Sequence, residues 1–563
     1  MLDELRKCRT IHDLAEILDI PPKTLTYLLY ILPDQKKYST KCISKKSGGT
    51  RQLQIPEARL KRLQRNLGDL LYRCQIELDE KYKPRRSFGF EKQKSIYDNA
   101  ISHNNKRWVF NIDIEEFFPS INFGRVISFF KYNKDFSLYP IIATYIAQIA
   151  CFKNELPQGS PCSPVISNLI CGSLDFRLSK IAAANLCNFS RYADDITFST
   201  NQRSFPASLA VQDQSSLDWK ASHDICTLIA ESGFFVNHWK TRMSTRDSRQ
   251  MVTGLVVNHK PNVPREYYKK TRAAIHNLLN SNSFYINNFC TPFGNNCEDE
   301  KKLIDSFSSL EGRISHCFSV NDRNDKRSEK EKFFKPTAIA KSYADLLLFK
   351  YFIRGTRPII LTEGPSDIIY LKAALKKSSK SIPGLLELNK DGSRKIITDF
   401  YKFPEQGKRL LGISGGSGNI SLFIERYYKF LKRLNSSVPR RPFIILLDND
   451  DGISKLKKNV KDFFKVDISM EIDKNYYQLS NGFYIVKTPH LPKISKTCVE
   501  DFLDQTAIST PLNGKTFSPD SDDVNLHFGK MILAKRIYND HSKYSFSEFE
   551  QILNRLSEAS QLP

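Results

Sequence analysis

The chain has no C-x-x-C pair, and its 12 cysteines are scattered from Cys8 and Cys42 to a lone late Cys498. That spacing excludes a zinc ribbon and argues against a disulfide framework, leaving reduced thiols that behave as small hydrophobes. No apolar run approaches the ~20 residues of a membrane span, so no membrane partner is expected. The opening segment, MLDELRKCRTIHDLAEIL, mixes charges into its apolar positions and lacks the uninterrupted core of a secretory signal, which points to a cytoplasmic protein. GISGGSGN, Gly412 to Asn419, lacks the G-K-[ST] ending of a phosphate loop. It reads as a turn between sheet elements, with no ATP site. No internal repeat or low-complexity segment stands out.

Acid is scarcer than base. Lys and Arg number 85 against 61 Asp and Glu, a formal charge of +24 spread through most of the chain. Such a surface draws polyanions and releases their counterions, the electrostatic footprint of nucleic-acid binding. At 563 residues the chain exceeds what one core supports, and its 40% hydrophobic and 12% aromatic shares are those of folded protein.

The acid that is present is concentrated. SRYADDITFST, Ser190 to Thr200, sets Asp194 and Asp195 side by side between flanks that alternate apolar and polar. Adjacent carboxylates ~4 Å apart at an effective dielectric of ~20 repel by about 4 kcal/mol. Far upstream, Asp113 closes the apolar strand of WVFNIDIEEFFPSI. Carboxylates converging from two strands share divalent cations, which removes the repulsion. A two-metal site then activates an attacking 3′ hydroxyl and stabilises the leaving pyrophosphate. Y-x-D-D alone is unspecific, since Tyr343-Ala344-Asp345 also occurs, within a predicted helix. The order of several motifs is specific: Asp113 with Phe117 and Phe118, then Leu156-Pro157-Gln158-Gly159, then Tyr192 to Asp195, then Gly233-Phe234 with Asn237 and Lys240-Thr241.

That series resembles the reverse transcriptases. Asn99-Ala100-Ile101-Ser102-His103 matches the N-A-x-x-H element, and Val252-Thr253-Gly254 the V-T-G element, of the retron reverse transcriptases, which make a branched RNA–DNA molecule, msDNA, from their own noncoding RNA. SFGF at Ser87 to Phe90 also fits, and the resemblance covers roughly residues 10 to 320. It implies a right-hand polymerase of α+β class, magnesium in a two-metal site and dNTP substrates. Asp113, Asp194 and Asp195 would be the metal-binding catalytic triad, with Asp194 ligating beside Asp113 and Asp195 assisting, because adjacent strand side chains point oppositely. Phe118 matches the aromatic gate against ribonucleotides, or packs in the core. Gln158 and Gly159 match the loop lining nucleotide and template. Arg51 and Lys46, on a Gly48-Gly49 hairpin with Lys45, contact the triphosphate or form a solvated edge. The resemblance assigns RNA recognition to Asn99, His103, Val252, Thr253 and Gly254, and a duplex-gripping thumb helix to Lys269, Lys270 and Arg272.

A second acidic site follows. Glu363-Gly364 closes the strand PIILTEG, and Asp448-Asn449-Asp450 closes FIILLDND, where alternation puts 448 and 450 on one face. Short apolar strands ending in acid suggest a parallel sheet covered on both faces. An E-G followed by D-x-D resembles the Toprim domain, a Rossmann-like α/β fold. That resemblance makes Glu363, Asp448, Asp450 and Glu500 ligands of a second magnesium site, with Glu363 also a candidate acid–base, Asp367 a support or helix cap, and Lys530 a stabiliser of charge on a scissile phosphate. With no zinc module and no room for a topoisomerase gate, a hydrolytic nuclease acting on nucleic acid is favoured, as in the retron proteins that carry a fused Toprim effector of anti-phage defence.

The expected organisation is an N-terminal helical region at 1–35, fingers and palm at 36–260, thumb at 261–321, a charged linker at 322–340, the Toprim domain at 341–505 and its extension at 506–563. Partners are the cognate noncoding RNA, its msDNA and the nuclease target, with a homo-oligomer left open. The competing readings are an intron-type or diversity-generating reverse transcriptase, which lacks the N-A-x-x-H and V-T-G pair, and a non-catalytic RNA-binding scaffold.

Overall fold

Strand parity decides the first half of the molecule. The computed structural model describes residues 1–44, 49–82, 87–214, 218–281, 307–434, 439, 441–469, 471, 473–492, 494–519 and 526–562. Lys45, Lys46 and Gly48 of the predicted hairpin, and the middle of the predicted thumb, lie outside them. The described chain forms two compact units, residues 1–267 and residues 268–281 with 307–562.

In the first unit, β1 (Tyr38–Ser44) and β2 (Thr50–Pro56) pair as an antiparallel hairpin. The central sheet has the order β4-β5-β3-β8, from β3 (Trp108–Glu115), β4 (Asn188–Tyr192), β5 (Asp195–Thr200) and β8 (Phe235–Thr245), all antiparallel. The short β6 (Ala210–Gln212) and β7 (Trp219–Ala221) form one ribbon, and β9 (Met251–Val252) and β10 (Leu255–Val256) another. Phe110, Ile112 and Ile114 of β3 turn one way into the main core with Ile196 and Phe198 of β5. Burying each such side chain stabilises by about 1.5–3 kcal/mol. The helix Ala58–Lys81 buries Leu60, Leu63, Leu67, Leu71, Cys74 and Leu78 at helical spacing, and the Glu57 carboxylate caps it by accepting from the N–H groups of Arg59 and Leu60. The predicted N-terminal helices pack Leu14, Leu18, Leu25 and Leu28 into the same core.

The second unit holds a five-stranded sheet of order β14-β11-β15-β17-β16. Its strands are β11 (Ile359–Leu361), β14 (Asp399–Phe400), β15 (Phe443–Leu447), β16 (Tyr477–Ser480) and β17 (Phe483–Lys487), while β12 (Leu386–Leu388) and β13 (Arg394–Ile396) pair apart. β14, β11, β15 and β17 run parallel and β16 antiparallel at the edge. An aromatic cluster packs it: Phe443 and Phe483, register partners, stack with ring centroids 4.8 Å apart, and Phe352 lies 4.4 Å from Phe443.

One expectation fails. Residues 322–340 are not a linker: Glu329–Phe334 is a helix with a capping box from Ser328, and Arg409 pairs with Asp322 and Glu329. Asp322, Asp325, Arg327, Glu329 and Lys332 are all in ion pairs, and Phe333 fits against Gly412, where any Cβ would come within 2.7 Å of its ring. Residues 268–281 and 307–321 of the predicted thumb group with the second unit. Tyr343 is a buried core residue of the helix Ala338–Leu348, as its helical context implied. No helix among the described residues is long and apolar enough to cross a membrane.

Candidate functional site

The register of β3, β4 and β5 gathers polar side chains on the face turned away from the main core. Asn111 lies opposite Thr197 and donates to its hydroxyl at 3.1 Å, and Asp113 lies opposite Asp195. The sequence placed Asp194 beside Asp113; the structure sets Asp195 across from it, with Asp194 in the turn, its carbonyl accepting the Ile114 N–H at 2.9 Å. Burial raises the Asp194 carboxyl above its ordinary range, with Asp113 adding to the effect and Lys240 and Arg51 opposing it. Asp195 is pushed up to about 6 by burial and by both neighbouring aspartates. Lys240 supplies the local cation, its Nζ 2.9 and 3.2 Å from the two Asp113 oxygens.

Residues that the sequence reading did not single out hold the turn. Arg191, fully buried, makes a two-point ion pair with Asp175 at 2.6 and 2.8 Å and donates to the Ala193 carbonyl at 2.9 Å. Ala193 takes a φ of +56°. Gly89 of SFGF backs it so closely that a Cβ there would stand 2.5 Å from the Ala193 nitrogen. A buried arginine inside SRYADD was the available signal.

The loop Leu156–Gly159 docks on β2. The Gln158 carbonyl accepts the Gln54 N–H at 2.9 Å, and Gly159, at φ +132°, allows an approach in which a Cβ would lie 2.4 Å from the Gln54 carbonyl oxygen. Arg51 is exposed on the same strand. Phe118 is half-buried beside Phe90 and Phe117, and Phe117 stacks on Phe234.

The RNA-reading assignments divide. Asn99, His103 and Val252 are buried, so their side chains do not form a contact surface. His103 sits between Ser190 of β4 and Ser199 of β5, each ring nitrogen 2.7 Å from a hydroxyl, and burial pushes it down to about 3, which keeps it neutral. Asn99 reaches the Thr253 hydroxyl at 3.5 Å, and that hydroxyl donates to the Ile96 carbonyl at 3.2 Å. Thr253 and Gly254, with φ of +46° and +82°, form the hairpin turn between β9 and β10, and the turn is what remains accessible. Lys269, Lys270 and Arg272 are exposed on the helix Arg265–Ser281.

In the second unit the acids lie just past the carboxyl ends of the parallel strands. β15 stops at Leu447, so Asp448 and Asp450 are not placed by strand alternation as the sequence suggested. Asn449 fixes them instead: it is buried, its N–H donates to Thr488 Oγ1 at 2.9 Å and its Oδ1 accepts from the buried Lys487 at 3.1 Å. Glu363 accepts the Asp448 N–H at 3.1 Å, and Asp448 accepts the Val499 N–H at 2.9 Å. Asp367 caps the helix Pro365–Lys377 through the Gly364 N–H at 2.9 Å. Burial raises all three carboxyls, reinforced by neighbouring acids: Glu363 to about 7, Asp448 to about 8 and Asp367 to about 6. Lys530 Nζ lies 3.1 Å from Glu500 Oε1, an ion pair by distance without hydrogen-bond alignment, and burial works against its charge while Glu500 sustains it. The glycine turn braces this site, as the Gly416 N–H donates to the Glu363 carbonyl at 2.8 Å.

Residues 43–287 match the reverse transcriptase (RNA-dependent DNA polymerase) family. The retron Ec86 reverse transcriptase of Escherichia coli is 34% identical over 48% of this chain and 78% of its own length. The chain belongs to the retron reverse transcriptases. The retron Mx65 enzyme of Myxococcus xanthus is 30% identical over 48% of this retron chain and 62% of its own. Among solved structures, telomerase from Candida albicans aligns over 56% of the chain and 62% of its own at 11% identity, with a TM-score of 0.32, too low to carry an argument.

Reverse transcriptases use divalent magnesium and dNTPs. Among the described residues of this retron reverse transcriptase, no three His, Cys, Asp or Glu side chains are already gathered at ligand distance. The donor set fits the ion nonetheless. Asp194 and Asp195 are raised by burial and further by the neighbouring carboxylates, charge that a divalent cation offsets, and carboxylate oxygens are what magnesium takes.

Proposed function

We propose that the first unit copies part of a cognate noncoding RNA into DNA that stays attached to it as msDNA, and that the second is a Toprim-type nuclease, the effector of an anti-phage system held inactive by that product. The observation that carries the polymerase reading is the register that sets Asp195 opposite Asp113 with Asp194 in the adjoining turn, on the polar face of the palm sheet. Asp113, Asp194 and Asp195 would hold magnesium, which would supply Lewis acidity for the attacking 3′ hydroxyl and charge neutralisation for the leaving pyrophosphate. The chain's own groups do the rest. Arg191 and Gly89 hold the turn, Lys240 orients Asp113 through their ion pair, the Gln158-Gly159 loop lines the template, Phe118 screens the sugar, and Arg51 meets the triphosphate.

For the second unit, the support is the convergence of Glu363, Asp448 and Asp367, their carboxyls raised by burial and by neighbouring acids, among them Glu500. Glu363, Asp448, Asp450 and Glu500 would hold magnesium, and Lys530 would face a scissile phosphate. Asp194→Asn with Asp195→Asn should abolish the ribonuclease-resistant DNA recovered with the purified protein, and its persistence would refute the polymerase assignment. Glu363→Ala or Asp450→Ala should remove toxicity in cells, and undiminished killing would sink the nuclease.

A further inference from the structure

The chain has three tryptophans. Trp108 and Trp219 are half-buried and pack against each other with ring centroids 5.7 Å apart. Trp239 is 99% exposed. It stands on β8 where the pairing with β3 slips: Asn111 is opposite Arg242 and Asp113 opposite Asn237, so His238, Trp239, Lys240 and Thr241 bulge out against the single residue Ile112. Thr241 closes the bulge by donating to the Asn237 carbonyl at 2.9 Å. Bulges beside active sites re-aim side chains. This one turns Lys240 back onto Asp113 at 2.9 Å and leaves the preceding indole entirely in water. Arg242, just beyond the bulge, partly offsets the rise of the Asp195 carboxyl by its charge. An indole held in solvent, followed by Lys240 and Arg242 and one residue from the group that contacts a catalytic carboxylate, suits one ligand chemistry: an aromatic base that carries phosphate.

We propose that Trp239 is a stacking platform for a nucleobase at the polymerase site, with Lys240 and Arg242 offering charge to the attached phosphate. The base belongs either to an unpaired nucleotide of the bound strand or to the incoming dNTP. This deepens the polymerase reading and rests on it. Being fully exposed, Trp239 is replaceable without disturbing the core.

The test uses full-length protein, an RNA template with a DNA primer, and dNTPs. Extension by the unmodified protein checks the polymerase reading on its own. In protein that extends, Trp239→Ala should weaken binding by about 5- to 150-fold, the range for one base–aromatic stack, and Trp239→Phe, which keeps a ring, should recover most of it. A rise in Kd for template–primer assigns the base to the strand, and a rise in KM for dNTP assigns it to the incoming nucleotide. Acrylamide quenching gives a second readout, because Trp239 is the tryptophan open to solvent. Saturating the same ligand should shield it, and Trp239→Phe should lose that shielded fraction. Unchanged Kd and KM in Trp239→Ala, equal losses in the Ala and Phe variants, or quenching that neither ligand alters would each overturn the proposal.

Discussion

The palm sheet and the sheet of the second unit gather acid by different means. In the antiparallel palm, side-chain parity does the sorting: the polar face takes Asn111, Asp113, Asp195 and Thr197 while Phe110, Ile112, Ile196 and Phe198 go to the core. In the parallel sheet the central strands β15 and β17 are buried at every position, so parity distinguishes nothing there, and acid follows where β15 stops. The electrostatic outcome differs as well. Lys240 sits on Asp113, whereas Lys530, whose charge bears on Glu363 and Asp448, is paired to Glu500. The lysine of the first cluster rests on a strand acid, and that of the second rests on Glu500.

The largest effect should separate the sites completely. Asp194→Asn with Asp195→Asn should cut primer extension by at least about 1000-fold, a barrier increase of ~4 kcal/mol, while leaving thermal stability close to wild type. Next, Arg191→Ala should destabilise the first unit by about 3–5 kcal/mol, because it leaves Asp175 buried without its partner. Denaturant unfolding measures it, and a double change of both residues to apolar ones should cost less. Gly159→Ala should cost about 1–3 kcal/mol through its strained φ and the contact with Gln54, with extension falling alongside.

Acidity sharpens the contrast further. Raised carboxyls bind protons more tightly folded than unfolded, so their contribution is complete below about 4 and is lost as pH rises through about 7 and 8 for Glu363 and Asp448. Metal-free protein should therefore lose second-unit stability between pH 4 and 8, and magnesium should restore it at the alkaline end. A melting temperature flat across that window would contradict the crowding. The smallest effect belongs to the exposed cations: replacing Lys269, Lys270 and Arg272 with Gln should lower the salt slope of RNA binding by about 3.

Much of this was legible before folding. Asp113 closing an apolar strand, the YADD turn and the acids that close PIILTEG and FIILLDND all announce themselves through pattern and punctuation. What was not legible depends on partners distant in sequence. The charged run at 322–340 reads as solvated until Arg409 arrives to pair it, and the N-A-x-x-H histidine reads as a contact residue until Ser190 and Ser199 close around it. Arg191 was hidden in plain view, since its value comes from Asp175, 16 residues away. The bulge that exposes Trp239 is set by pairing with β3 and leaves no local signature.

Magnesium-dependent extension of an RNA-templated primer, compared between Asp113→Asn and Asp450→Asn, is the most direct trial of two independent acid clusters. The account predicts that Asp113→Asn loses extension and Asp450→Asn keeps it. Wild-type extension by Asp113→Asn would contradict it.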